Sequence, residues 1–265
     1  MKINLVLVGL VLVSLPLQAK EAGVDVGQPS MMRKFVPAKQ VESQATQQYT
    51  QLLKKAAAKG ALAADDNPQV LRLRAIADKI IPFTTRFNPR ATEWHWEINL
   101  IGSKAINAFC MPGGKIAFFT GILEQLKLSD DEVAMIMGHE IAHALREHAR
   151  ERMAKAVATD LGAKVIGELL GGGFYTGALK FGGDLLTLKF SRGDESEADL
   201  VGLELAARAG YDPRAGVTLW QKMSAANKNA PLEFLSTHPS GDHRIKDIED
   251  HLSDVMPLYR AAQGG

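Results

Sequence analysis

Residues 129–152 read SDDEVAMIMGHEIAHALREHARER, which predicts one continuous helix carrying His139, Glu140 and His143 in the spacing H-E-x-x-H. At 3.6 residues per turn, positions i and i+4 lie about 40° apart in azimuth and about 6 Å apart along the axis, so two imidazoles reach one ion. Glu140 stands about 100° round from His139, beside the ion and placed to work on a water instead of ligating. Ser129 with Glu132 makes a capping box, and Asp130, Asp131 and Glu132 complement the positive end of the helix dipole. So short a spacing also arises by chance, and the rest of the chain must supply a third ligand.

Upstream of this helix, Trp94, Trp96, Ile98 and Leu100 alternate with His95, Glu97, Asn99 and Ile101, the period of a half-buried strand. Ile106–Met111 and Lys115–Thr120 read as two further strands around the turn Pro112-Gly113-Gly114. An exposed edge of such a sheet binds an extended peptide by adding it as a strand, here along Asn107 and Ala108. His95 lacks metal spacing and reads as a surface or satisfied histidine. Before the sheet, Ala38–Lys59 and a helix capped by Asn67-Pro68 and running to about Ile81 read as packing helices.

Downstream, a helix begins near Ser191 and places Glu195 and Asp199 on one face, with Gly202 and Ala206 extending it as a stripe that admits a close neighbour. Two readings stand for that face. It is either an exposed acidic helix start or the site of a third ligand, Glu195, with Asp199 holding the free N–H of a ligating histidine. Glu197 points about 200° from Glu195 and reads as solvated surface. On a continuous helix His148 lies about 180° round from His139 and reads as a packing or salt-bridging residue, and Glu147 as a surface carboxylate. The longer metzincin pattern fails, since it needs Gly at 146 and His at 149, where the chain has Arg146 and Ala149.

The 265 residues carry 31 Lys+Arg against 30 Asp+Glu, a near balance that leaves no electrostatic footprint for nucleic acid. Residues 1–19 hold one charge, Lys2, before the apolar run Ile3–Leu17 and resemble a secretory signal cleaved after Ala19. The expectation is export, with the periplasm as destination. A lipoprotein is disfavoured because the single cysteine is Cys110, which also denies the fold an intramolecular disulfide. Residues 20–37 read as a tether and residues 38–262 as one catalytic domain. Residues 161–190 are glycine-rich and apolar but interrupted by Lys164, Glu168, Lys180, Asp184 and Lys189, too short a run to span a bilayer. They read as a flap, or as a lid or peripheral membrane contact.

Several blocks together resemble the HtpX-like and CaaX-prenyl-protease-like zinc metallopeptidases, gluzincins in which H-E-x-x-H is followed on a later helix by E-x-x-x-D. These blocks are Asn107-Ala108-Phe109 with Pro112-Gly113-Gly114, His139–His143, Ser191-Arg192 with Glu195–Asp199, Gly210–Pro213, and Thr237-His238-Pro239 with Arg244-Ile245. The resemblance implies metal ligation by His139, His143 and Glu195, with Glu140 as base and Asp199 behind a histidine. It also places the loop of His238 over the cleft. There His238 either hydrogen-bonds the tetrahedral oxyanion, occupies the fourth metal position transiently, or serves only as a loop histidine. Two imidazoles and one carboxylate suit a single Zn2+ per chain.

By the same resemblance the substrates are polypeptides, unfolded or misassembled envelope proteins in a quality-control setting. The branch is the soluble one, since spanning helices are absent apart from residues 1–19. Cys110 departs from the small or aliphatic residues of the family and reads as a buried thiol. The expected fold is α+β, mainly helical, a zincin-type domain with one small sheet beside the H-E-x-x-H helix. A chaperone or assembly factor with a latent zinc site is the alternative function.

Overall fold

The computed structural model describes residues 22–161, 185, 188–228, 232–239 and 243–264. The expected signal at 1–19 and nearly all of the flap at 161–190 lie outside them. The described chain is mainly helical, with one three-stranded sheet. Helix α1 (Ala38–Ala58) and α2 (Pro68–Ile80) form where predicted; Asn67 caps α2 by accepting from the Gln69 N–H, with Pro68 in the first turn. Val70, Leu73, Ile76, Ala77 and Ile80 are the buried face of α2, as their 3.6-residue period requires.

Strands β1 (Glu97–Ile101), β2 (Ala108–Met111) and β3 (Lys115–Phe119) pair in the order β1-β3-β2, with β1 parallel to β3 and β2 antiparallel to it. The β2–β3 hairpin turns at Gly113 and Gly114, both at positive φ, and a Cβ on Gly114 would sit 2.7 Å from the Trp96 ring. Alternation along β3 divides the core. Ile116 and Phe118 face the larger cluster with α2 and the H-E-x-x-H helix, while Ala117 faces a smaller one under Val41, Ala45 and Tyr49 of α1. The Tyr49 hydroxyl donates to the Ile116 carbonyl at 2.5 Å, tying α1 to the sheet.

Behind the sheet come α3 (Thr120–Leu126) and α4 (Asp130–Leu145), and Glu132 through Leu145 are all buried. The continuous helix expected over 129–152 is interrupted. Helix α4 ends at Leu145, Glu147 takes a left-handed conformation at φ 58°, and α5 (His148–Leu161) leaves in a new direction. Among the described residues the further helices are α6 (Arg192–Arg208), α7 (Ala215–Asn227), the short α8 (Glu233–Thr237) and α9 (Arg244–Gln263).

Helices α4 and α6 cross at backbone contact. A Cβ on Gly138 would lie 2.7 Å from the Gly202 carbonyl oxygen, and one on Gly202 would lie 2.6 Å from the His139 amide nitrogen. These are backbone atoms and cannot step aside. Gly202→Ala is therefore expected to lower unfolding free energy by about 1–3 kcal/mol in urea titration, the usual cost of overpacking. An unchanged midpoint would mean that the crossing tolerates a methyl group.

Residues 22–36, expected as part of a tether, are fastened to the body. The Gly23 N–H donates to the Asp254 carbonyl at 3.1 Å and the Val24 N–H to Glu204 at 2.7 Å. Glu204 is fully buried and also meets Arg86 and Arg208 at 2.6 and 2.7 Å. Two guanidiniums and an amide donor thus partner this buried carboxylate, which leaves it with hydrogen bonds in place of water.

Candidate active site

The capping box of α4 forms as expected, with Ser129 accepting from the Glu132 N–H and the Glu132 carboxylate accepting from the Ser129 N–H. Ten residues on, one face of α4 presents His139 and His143, their Nε2 atoms 3.1 Å apart. Helix α6 opens with a second capping box, between Ser191 and Asp194, which the sequence reading did not anticipate. It starts the helix so that Glu195, 1% exposed, reaches both imidazoles: Oε2 is 3.6 Å from His139 Nε2 and Oε1 is 3.4 Å from His143 Nε2. Asp199, one turn on, lies behind His139 with Oδ1 3.0 Å from Nδ1.

His238 follows α8 and is 3% exposed, stacked on Phe234 with ring centroids 4.4 Å apart. Its Nδ1 is 3.1 Å from Glu195 Oε1 and 3.4 Å from His139 Nε2. One donor atom from each of His139, His143, Glu195 and His238 falls within 4.8 Å of all the others.

This donor set fits a divalent metal. Bonds of about 2.0–2.2 Å in a tetrahedron separate ligand atoms by about 3.3–3.6 Å, and the spacings above run close to that. Asp199 accepts from His139 Nδ1, which leaves Nε2 bare and facing the cluster. Lone pairs directed at one point in a buried space call for a cation there.

Electrostatics agree with that reading. Burial, and then the other imidazoles and Arg244, push His143 well below the ordinary histidine range, so it is the neutral base that metal ligation needs. Burial pushes Asp199 up, but Arg244 and His139 more than offset it and hold the carboxyl down to about 2. Burial pushes Glu140 above the usual carboxylate range. Its Oε1 has no hydrogen-bond partner and lies 3.7 Å from His238 Nε2.

Arg244, at 2% exposure, joins the acidic pair. Its Nε and Nη2 fork both Asp199 oxygens at 2.6 Å, and Nη1 donates to Glu195 Oε2 at 2.6 Å. Trp220 lies beneath the guanidinium, 3.7 Å from ring centroid to Cζ.

A cleft runs between β2 and α4, with Asn107 to Pro112 on one side and Glu140, His143, Phe190 and His238 on the other. Strand β2 is at the sheet's edge. Ala108 is buried, and Asn107 is partly exposed, with Nδ2 donating to Glu233 at 3.3 Å. Cys110 lies buried in the wall, where burial pushes its thiol up and leaves it unreactive.

His148, expected as a packing or salt-bridging residue on the far side of the helix, is 2% exposed with Nδ1 2.9 Å from His143 Nδ1, because the break at Arg146-Glu147 turns it back toward the site. Two surface expectations, Glu197 and Glu147, are overturned. Glu197 is no free surface carboxylate; it pairs with Arg146 and His148. Glu147 is buried as well, bridged by Arg33 at 3.2 Å and Arg150 at 2.7 Å. Phe190, which stacks on His143 at 3.9 Å, carried no sequence signal.

A model of peptidase family M48 matches residues 69–252. The chain belongs to peptidase family M48. Among relatives of this M48 chain, mitochondrial metalloendopeptidase OMA1 of Arabidopsis thaliana is 37% identical over 172 residues, 64% of this chain and 35% of that protein. OMA1 of Schizosaccharomyces pombe is 40% identical over 165 residues, covering 61% and 48%. The beta-barrel assembly-enhancing protease of Escherichia coli is 30% identical over 175 residues, covering 60% and 35%. The chain thus spans under half the length of these relatives. M48 membership supports the metallopeptidase class drawn from the motif blocks. The finer placing beside HtpX-like and CaaX-prenyl-protease-like members gives way to OMA1-type and assembly-protease relatives.

Proposed function

We propose that this chain is a zinc-dependent metalloendopeptidase, with His139, His143 and Glu195 as ligands of one Zn2+ and Glu140 as general base. The observation that carries this is the convergence of three buried donors, with the unpartnered Glu140 Oε1 beside them. Bound zinc would supply Lewis acidity, lowering the pKa of a water and polarising a carbonyl. Glu140 takes the proton from the attacking water and passes it to the departing amine. Asp199 fixes the His139 tautomer, and Arg244 holds the Asp199 carboxyl down while donating a hydrogen bond to Glu195. An extended polypeptide pairs with the free edge of β2 at Asn107 and Ala108.

We further read the protein as exported to the periplasm through residues 1–19, acting on unfolded or misassembled envelope polypeptides. The M48 relatives named for beta-barrel assembly support that substrate class. Among the described residues no helix is long and apolar enough to cross a membrane. The test is casein hydrolysis by the zinc-loaded chain, by the chain after chelation, and after zinc is returned. Cleavage lost on chelation and regained with zinc supports the reading; cleavage indifferent to metal sinks it.

One observation favours a second reading, an assembly factor with a latent site. His238 Nδ1 stands at the fourth corner of the donor set, where an open position is needed for catalysis. If His238 closes the site at rest, His238→Ala raises casein hydrolysis severalfold, on the order of tenfold for 1.4 kcal/mol of ligation. If His238 instead steadies the oxyanion, the same variant loses activity. A rate unchanged from wild type would exclude both roles.

A further inference from the structure

An imidazole that gives one nitrogen to a metal needs its other N–H held, because that hydrogen bond sets the tautomer and the direction of the ring. For His139 the partner is Asp199. His143 is served differently. Its Nδ1 faces His148 Nδ1 at 2.9 Å, and His148 Nε2 faces Glu197 Oε2 at 3.3 Å.

Proton positions along this row have one consistent assignment. Nε2 of His143 points into the donor cluster, so the proton of the neutral ring sits on Nδ1 and donates to His148 Nδ1. That nitrogen is then the bare one. His148 carries its own proton on Nε2 and donates it to Glu197, whose carboxylate can only accept. At the far end the Arg146 Nε donates to Glu197 Oε1, while Nη2 donates to the carbonyls of Val26 at 3.3 Å and Gly27 at 2.9 Å.

We propose that His148 and Glu197 are positioning residues that fix the tautomer and direction of His143, and that Arg146 anchors this relay to the backbone of residues 26–27. The inference rests on the metal-site reading above. Stacking of Phe190 on His143 fixes the plane of the ring but permits either tautomer and a 180° flip. The relay removes that freedom. Metal retention is thereby coupled to the seating of the segment that precedes α1, although Val26 and Gly27 lie far from the site in sequence.

The test measures zinc affinity of the full chain by competition with a chromogenic chelator, alongside the thermal midpoint of the metal-free protein. His148→Phe keeps the ring shape and removes the acceptor, and should weaken zinc binding about 10- to 100-fold. His148→Asn places an amide oxygen where Nδ1 stood and should recover binding to within about threefold of wild type. A merely structural role would not separate these two variants by their acceptor. Glu197→Gln should weaken zinc about tenfold, and it decides the matter if His148→Phe does not fold.

Equal zinc affinity for the Phe and Asn variants, or a wild-type value for Glu197→Gln, overturns the relay. His139→Ala serves as the control on the underlying site. If it binds zinc as wild type does, the metal-site reading itself falls and takes this inference with it; if it loses zinc while the His148 and Glu197 variants do not, only the relay falls.

Discussion

Glu140→Gln is expected to slow casein hydrolysis by about 10²- to 10⁴-fold, the contribution of a positioned general base. Zinc content should stay at the wild-type level, because Glu140 is not among the clustered donors. The amide matches the carboxylate in shape but cannot take a proton. The site is built to make that proton transfer effective: Glu140 is 2% exposed, Oε1 is left without a partner, and burial lifts the carboxyl above its usual range, toward the basicity a general base needs near neutral pH. Rates of the zinc-loaded variant and wild type on the same substrate, with metal analysis of both, make the comparison. Undiminished hydrolysis would remove Glu140 from the mechanism, and loss of zinc would make it a ligand instead.

Arg244→Leu is expected to cost about 3–5 kcal/mol of stability, the largest structural effect of any single change at the site, because it strands two buried carboxylates. Asp199 and Glu195 are 7% and 1% exposed, and Arg244 gives them three hydrogen bonds of 2.6 Å. At about 2–4 °C per kcal/mol for a chain of this size, the thermal midpoint should fall by roughly 6–20 °C. Arg244→Lys keeps the charge but cannot fork both Asp199 oxygens, and should recover only part of the loss. A shift below about 1 kcal/mol would place the variant among ordinary surface substitutions and show that the carboxylates need no guanidinium.

Much of this was legible before any fold was known. The H-E-x-x-H helix, its Ser129 cap, the start of α6 at Ser191 and the shared face of Glu195 and Asp199 all follow from residues within a few turns of one another. So do α2, with Asn67 and Pro68 at its head, and the hairpin at Gly113-Gly114. Residue type and periodicity act over that range, and capping needs only one turn. Two strands were slightly misjudged at their edges: β1 starts at Glu97 after a 3-10 turn over Pro89–Glu93, and β2 starts at Ala108.

The break between α4 and α5 is the clearest failure of local reading. A left-handed residue costs about 1–2 kcal/mol without glycine, and nothing in Arg146-Glu147 advertises one. Glu147 is held there by Arg150 three residues on and by Arg33, which only packing brings to it. That single turn moves His148 from the far face of a continuous helix to hydrogen-bonding distance of His143.

By itself, then, the sequence determined the two helices that carry His139, His143, Glu195 and Asp199, their starts and which side chains each one offers. Tertiary structure decided what those side chains meet. His139 finds Asp199 across 60 residues and His238 across 99, and Arg244 reaches Asp199 across 45. Such meetings depend on helix crossings set by Gly138 and Gly202 and on burial that leaves charged groups no alternative partner. Those are properties of the packed whole, and no window of neighbouring residues contains them.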